Sequence, residues 1–261
     1  MVEDGVADIA IAPLAFRQKQ LSLYTITNIP LSAPSSKGAS KAYWDTHETY
    51  FADADQWGNF VPLSLFTLGA PGIISNTEPV QSQADLQGYK MFAAGKEKTQ
   101  IWKNLGATPV GGGGKPPFEF VSSGVADGAS SAFGTAANQG LLEASKSITV
   151  VPGGFGGLTP FVLYMNKEVF ESLTPAQQTA LTSTSGGKLA TKIGGIMDKI
   201  DKSGVKRFAD KGVEVYTASD AFMAEINAAS SFVENEWLAK AAAAGVDGSA
   251  ALDHFKSVAS K

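Results

Sequence analysis

Short apolar runs alternate along the chain with segments of helical periodicity. Residues 6–12 predict a short buried strand, and residues 60–67 predict a second strand that Pro62 confines to a sheet edge. Further strands are predicted after the turn within 85–92, near 107–110, at 147–152 and at 161–165. Strands that alternate with helical segments predict an α/β architecture.

Two helices are predicted in the first half of the chain. Residues 42–51 place tyrosine, histidine and phenylalanine side chains at helical spacing, which predicts a helix with one aromatic face. Residues 96–105 place Ile101 and Trp102 on one apolar stripe, and Gly106 is a typical helix stop.

The second half begins its helices with a clear start signal. Thr174, followed by proline and by glutamine three residues after the threonine, predicts a capping box. The helical pattern continues toward Gly212, and tertiary contacts or breaks must accommodate its glycines, which are Gly186, Gly187, Gly194, Gly195 and Gly204. A last helix has an apolar stripe from Phe222 to Trp237.

Composition narrows the classes of function. The 261 residues are 44% hydrophobic and 18% charged, an ordinary globular composition, and the net charge of −4 argues against a nucleic-acid partner. The absence of cysteine excludes disulfides and thiolate chemistry. No apolar run reaches the roughly 20 residues of a membrane span, and no export signal follows Met1. A cytoplasmic protein, a removed signal or a start further upstream would each explain this beginning.

Glycine-rich segments do not match nucleotide-binding motifs. The run from Gly111 to Gly114 precedes a lysine, but Pro109 and Pro116 replace the first glycine and the hydroxyl residue of a phosphate loop. Residues 153–157 lack the dinucleotide spacing and are interpreted as a connector or a pocket wall.

Catalytic and metal-binding patterns are also lacking. His47 and His254 are the only histidines, and neither has a second ligand at metal spacing. His47 is expected to be packed or hydrogen-bonded, and His254 to be solvated. No nucleophile, base and oxyanion site assemble in the sequence, so we expect no enzyme, no metal and no cofactor.

Several segments, in this order along the chain, resemble landmarks of the solute receptors of tripartite ATP-independent periplasmic (TRAP) transporters. They are residues 2–10, 28–31, 85–90, 105–110, 124–128 and 165–178. The resemblance implies a two-lobed, periplasmic-binding-protein-like α/β fold with long helices bridging the lobes. It also implies a periplasmic location, a small organic solute in the interlobe cleft, and delivery of that solute to the TRAP membrane subunits.

The resemblance gives lobe boundaries as well. Lobe I is expected to comprise 1–69 and 158–197, and lobe II to comprise 70–157 and 198–261 with the C-terminal helices. Members of the family begin with a strand and helix upstream of the segment that matches Val2, so the resemblance implies that this N-terminal unit is lacking here.

The site residues implied by the resemblance depart from the family pattern. Phe92 stands where the family has an arginine that clamps a carboxylate, which makes a carboxylate ligand doubtful and favours an amine or neutral polar solute. The residues expected to contact ligand are Ala12, Phe92, Gly114, Ser131, Phe133 and Phe155. Two alternatives remain open: a transferase-like enzyme that uses the Gly111 to Gly114 loop, and a truncated relic that binds nothing.

Overall fold

A computed structural model describes residues 2–111 and 115–261. The strands are β1 (Ile9–Pro13), β2 (Phe60–Thr67), β3 (Pro71–Ser75), β4 (Lys90–Phe92), β5 (Thr108–Val110), β6 (Gly128–Ala132), β7 (Ser147–Val150), β8 (Pro160–Asn166) and β9 (Glu214–Thr217). The α-helices are α1 (Ser36–Thr46), α2 (Lys96–Asn104), α3 (Pro117–Ser122), α4 (Phe133–Asn138), α5 (Leu141–Ala144), α6 (Lys167–Ser172), α7 (Pro175–Thr184), α8 (Gly186–Asp210), α9 (Asp220–Ala243) and α10 (Gly248–Ala259).

The smaller sheet has the antiparallel order β1-β8-β2. The predicted edge position of Pro62 is confirmed, because β2 lies at one edge and its register shifts between Pro62 and Ser64. The first strand begins at Ile9 rather than at residue 6, since pairing with β8 starts where Ile9 faces Met165.

The larger sheet has six strands in the order β5-β4-β6-β3-β7-β9. β4 runs parallel to β5 and β6, while β3 runs antiparallel to β6 and β7. β3, β6 and β9 were not predicted from the sequence. Residues 68–70 and 151–159 connect the two sheets, so the chain crosses between them more than once.

The predicted aromatic helix is confirmed and longer than expected. Ser35 accepts a hydrogen bond from the Gly38 amide and starts α1, which continues into a π-helical turn at His47–Phe51. Tyr43 and Phe51 are fully buried. The expected hydrogen bond of His47 is present, since its Nδ1 lies 2.8 Å from the Tyr24 hydroxyl oxygen.

His254 differs from its prediction. Its Nε2 lies 3.0 Å from Asp45 Oδ1, and the imidazole also lies 5.3 Å from the Tyr50 ring, so the side chain is half-buried rather than solvated. The contact forms because α10 packs on α1.

The capping box at Thr174 is confirmed. The helix does not continue unbroken, because α7 ends at Thr184, Ser185 interrupts it, and α8 begins at Gly186. Within α8, Gly194 and Gly204 allow neighbouring backbones to approach closely. A Cβ on Gly194 would lie 2.4 Å from the Ser36 carbonyl oxygen, and one on Gly204 would lie 2.3 Å from the Gly134 nitrogen.

Two carboxylates of α8 accept hydrogen bonds from the first amides of two different helices, α1 and α4. Asp198 accepts hydrogen bonds from the amides of Ser36 and Lys37 at 2.8 and 3.0 Å, at the start of α1. One turn later, Asp201 accepts one from the Gly134 amide at 3.1 Å, at the start of α4. Because α1 packs on β2 and α4 follows β6, α8 bridges the two sheets.

The C-terminal helices pack back across the molecule. The Trp237 indole on α9 donates a buried hydrogen bond of 2.9 Å to the Leu23 carbonyl, and α10 packs on α1. The lobe bounds of 1–69 with 158–197 and 70–157 with 198–261 stay a prediction. The strands of the smaller sheet lie within 9–67 and 160–166, and those of the larger sheet within 71–150 and 214–217.

Candidate functional site

A cleft of about 140 Å³ lies where β1 and β8 of the smaller sheet face the first turn of α2, which follows the larger sheet's β4. One wall of the cleft therefore lies on the side of the smaller sheet, and the other lies on the side of the larger sheet. Its lining consists of Pro13, Leu14, Ala15, Gln18, Asn28, Ala94, Gly95, Glu97, Lys98, Gly156, Gly157, Leu158, Thr159 and Pro160.

Gly156 and Gly157, the end of the glycine-rich segment 153–157, line the cleft, as one of the two sequence interpretations of that segment proposed. Gly157 has a φ of +78°, and a Cβ there would lie 2.6 Å from the Asn28 backbone. Only glycine fits both restrictions. The next amide, that of Leu158, donates a 2.8 Å hydrogen bond to the Thr27 carbonyl and holds this wall against the smaller sheet's side.

Lys98 is the cationic side chain of this cleft. Its stem lies against Gly156, where an added Cβ would be 3.2 Å from Lys98 Cγ and 3.4 Å from Cε. Burial lowers the pKa of Lys98 to about 8. Within residues 2–111 and 115–261, no hydrogen bond or ion pair is seen for its ammonium group. The cleft thus contains a half-buried cation that forms no ion pair with the residues described.

The remaining polar groups of the cleft are few. Glu97 neighbours Lys98 and is half-buried, and the neutral side chains are Gln18, Asn28 and Thr159. Gly95 caps α2 without a side-chain acceptor, so the first-turn amides of that helix have no capping side chain. A solute here meets mostly apolar surface with a small number of polar contacts.

The three phenylalanines expected to contact ligand lie in packed surroundings. Phe92 is half-buried with its ring 5.1 Å from that of Phe120. Phe133 is 2% exposed, and Phe155 is fully buried with its ring stacked 3.9 Å from that of Trp102. Packing accounts for Phe133 and Phe155, because their rings fill core positions.

The other three predicted residues are scattered. Ala12 lines a neighbouring surface pocket beside Arg17, and Ser131 is half-buried in β6 opposite Gly72 of β3. Gly114 lies outside the described residues. Among the five predicted positions that the structure describes, none lines the cleft at α2. Their contact with a solute stays a prediction.

The structure offers little for catalysis. Among residues 2–111 and 115–261, there is no group of three or more His, Asp or Glu side chains that could hold a metal ion. Within the same residues, no helix is long and apolar enough to cross a membrane. The transferase alternative would use the loop from Gly111 to Gly114, and most of that loop lies outside the described residues.

Two α/β lobes around a cleft for one small solute define a two-lobed solute-binding protein. The chain belongs to the bacterial extracellular solute-binding protein family 7, the DctP family, whose model matches residues 1–240. The expected TRAP receptor family and two-lobed α/β fold are thereby confirmed. Members of this family bind solutes rather than transform them, and the chain is not an enzyme.

Relatives agree with this assignment. The chain is 29% identical over 99% of its length to the outer membrane transporter protein TsaT of Comamonas testosteroni, covering 76% of that protein. It is similar to a TRAP periplasmic solute-binding protein from Bordetella bronchiseptica with bound (R)- and (S)-mandelate, at 28% identity and a TM-score of 0.87, covering 99% of this chain and 82% of that one.

A third relative is a marine metagenome TRAP solute-binding protein that is specific for aromatic acids and was solved with metahydroxyphenylacetate. Identity is 27% and the TM-score 0.85, over 99% of this chain and 81% of that one. The chain is accordingly an extracytoplasmic receptor that captures a small organic solute and delivers it to TRAP membrane subunits. TRAP receptors of this kind are periplasmic.

Sequence reasoning missed Lys98, although a signal was present. Lys98 stands three, four and seven residues before Ile101, Trp102 and Leu105, on the apolar stripe that predicted α2. Those three side chains are fully buried. A lysine on a buried stripe is uncommon, because lysine is almost never fully buried unless it is paired.

Proposed function

We propose that this chain is a periplasmic receptor for a compact organic acid that carries an aromatic ring. The observation that supports the proposal is the composition of the cleft at α2, where mostly apolar walls enclose a lysine with no described counter-ion. A carboxylate would supply the missing charge, and a ring would cover apolar surface at Leu14, Leu158 and Pro160.

The size of the cleft favours a small ligand. At about 140 Å³ it is smaller than the roughly 300–1,000 Å³ of sites for drug-sized ligands. Two relatives that share 27–28% identity with this chain were solved with mandelate and with metahydroxyphenylacetate, each a single ring that bears a carboxylate. A solute of that class fits the walls described above.

The proposal revises the expectation that was based on Phe92. Loss of an arginine at that position made a carboxylate doubtful, but Lys98 offers a cation at a different position of the same lobe. Glu97 keeps the amine alternative open to test, because a cationic solute would pair with it instead. Contact with walls from both sides favours the closed state of the lobes.

The test is a thermal-shift screen followed by calorimetry. Mandelate and 3-hydroxybenzoate are compared with mandelamide, benzylamine and galacturonate at pH 7. A ligand at 100 times its Kd stabilises the folded state by about 2.7 kcal/mol. We expect the two aromatic acids to raise the melting temperature and to be recovered unchanged.

Other results of this screen would refute the proposal. A shift with benzylamine alone would refute the proposal and support the amine alternative. Binding of galacturonate alone, or of none of the probes, would also refute the proposal.

A further inference from the structure

We propose that Lys98 is the residue that selects the acid, by pairing its ammonium group with the solute's carboxylate against the Gly156 wall. This inference rests on the proposed function and specifies the group that carries it out. It assigns to α2 a role that the family pattern gives to an arginine at the Phe92 position.

The geometry restricts where the ammonium group can go. Gly156 lies under the stem of Lys98, and a Cβ added to this glycine would be only 3.2–3.4 Å from the carbons of that stem. A larger residue at position 156 would therefore displace the lysine side chain. Lys98 lines the cleft beside Gly95 and Ala94, neither of which has a polar side chain. No described residue accepts a hydrogen bond from its ammonium group, so a ligand oxygen in the cleft can serve as its partner.

The neighbouring lysine of α2 provides a contrast. Lys96 is exposed and lies 3.8 Å from Glu236 of α9, in an ordinary surface ion pair. Lys98, two residues later, points to the other side of the helix, where Ile101 and Trp102 are buried. Its location on the buried stripe costs solvation of its charge, and helix propensity gives no reason for that cost, because uncharged residues form helices equally well.

Few charged groups lie around Lys98 among the described residues. On its own helix, Glu97 lines the same cleft and Lys96 is paired with Glu236. The facing wall contains Gly156 and Gly157, and the smaller sheet's side contributes neutral Gln18 and Asn28. Burial is the cause of the lowered pKa of Lys98, and no neighbouring carboxylate offsets it.

A bound carboxylate would therefore raise the lysine's proton affinity. Near pH 8 and above, the acid must bind together with a proton, which the lysine takes up from solvent. Below about pH 7 the ammonium form already predominates and no proton is exchanged. Affinity for the acid should be constant below about pH 7 and fall as pH rises from about 8 to 10.

The experiment measures the preference for an acid over its amide. Calorimetry gives the Kd of mandelate and of mandelamide for the wild-type receptor, for Lys98→Met and for Glu97→Gln. Met keeps the unbranched shape and apolar stem while removing the charge. Lys96→Met is the matched control on the same helix, because it removes a surface charge that does not line the cleft.

We expect the wild-type receptor to prefer mandelate, and K98M to lose roughly 10- to 100-fold of that preference, the range of one charge-assisted hydrogen bond. K96M should keep the preference, and E97Q should increase it, because it removes a negative charge from the cleft. The wild-type preference for mandelate over mandelamide should shrink between pH 7 and 10. This measurement needs no variant, so it tests the role of Lys98 even if K98M folds poorly.

The role of Lys98 and the proposed function are refuted by different results. If the wild-type receptor prefers mandelate and K98M keeps that preference, or if the wild-type preference is independent of pH up to 10, the role of Lys98 is refuted and the proposed function stands. If the wild-type receptor binds no aromatic acid, both are refuted. If E97Q abolishes binding of benzylamine and the acids do not bind, the cleft serves a cation.

Discussion

Asp201 gives a prediction that concerns the joint between the lobes. Its carboxylate lies on α8 beside Gly69, where the chain crosses from β2 to β3, and a Cβ on that glycine would be 2.7 Å from its Cγ. Burial raises the pKa of Asp201 to about 6, and the nearby charge of Asp198 adds to the rise. The amides at the start of α4, including that of Gly134, oppose the rise.

The direction of the effect on stability follows from linkage. Because the folded-state pKa lies above the ordinary value of 3.8, the protonated carboxyl is favoured in the folded protein. Its contribution to the free energy of unfolding is fully present below about pH 4 and is lost as pH rises through about 6. At 1.36 kcal/mol per pH unit the difference amounts to about 3 kcal/mol. Solvent screening of this half-buried group reduces the expected value to about 1–2 kcal/mol.

The perturbation is Asp201→Asn, which keeps the side chain's shape and one oxygen acceptor for the Gly134 amide but cannot ionise. Urea unfolding at pH 4, 5, 6 and 7.5 gives the free energy of unfolding of the variant and the wild type. The variant should gain about 1–2 kcal/mol relative to wild type between pH 4 and 7.5. Asp253→Asn, at an exposed position on α10, is the control for the loss of one carboxylate.

Equal pH slopes for wild type and Asp201→Asn would refute the reasoning. The difference between the variant and wild-type curves is used because the titration of His47 changes the free energy of unfolding over the same pH range with the opposite sign. Subtracting the wild-type curve removes that contribution, provided that the two residues act independently, as separated sites usually do.

Three further predictions concern packing and burial. Gly194→Ala should destabilise the fold by roughly 1–3 kcal/mol in thermal unfolding, because its Cβ would lie 2.4 Å from a backbone oxygen of α1, whereas Gly195→Ala, with only a lysine carbon at 3.8 Å, should stabilise it by up to about 1 kcal/mol. Burial lowers the pKa of His47 to about 4. The contribution of the neutral imidazole to the free energy of unfolding therefore falls as pH drops from about 6.5 toward 4. The stability lost in His47→Gln should accordingly be larger at pH 7 than at pH 4.5. Trp237→Phe should cost roughly 1–3 kcal/mol in urea unfolding, because it leaves a buried carbonyl without its 2.9 Å hydrogen bond, and a change below about 0.3 kcal/mol would contradict that account.

Elements with strong local signals were predictable from the sequence. Pro62 and Thr174 act through the chain immediately around them, since one lacks an amide and the other satisfies the amides of the following turn. The short strands β3 and β6 were missed because they carry little periodicity. β6 has the sequence Gly-Ala-Ser-Ser-Ala, and its place in the sheet depends on pairing with β3 and β4, distant in the chain.

The site was less predictable than the fold. Reasoning from the family pattern transferred ligand contacts to positions such as Phe133 and Phe155, but a ring at such a position can turn into the core, and the sequence does not specify which way it turns. Phe155 stands between two glycines on each side, and its ring stacks on Trp102 while the flanking Gly156 lines the cleft. The direction of each side chain is set by tertiary packing.

A lysine in place of an arginine changes how a receptor of this kind would respond to its surroundings. A guanidinium stays charged in proteins, so an arginine site binds a carboxylate without exchanging a proton. The ammonium group of Lys98, its pKa lowered to about 8 by burial, is charged at neutral pH and loses that charge in mildly alkaline solution. Because Leu14 and Pro160 belong to the opposite wall, the acid must contact both walls to be held, and its pairing with Lys98 would contribute to closure only while the lysine is protonated. The proposed receptor should therefore release its acid more readily as pH rises, with the apolar contacts unchanged.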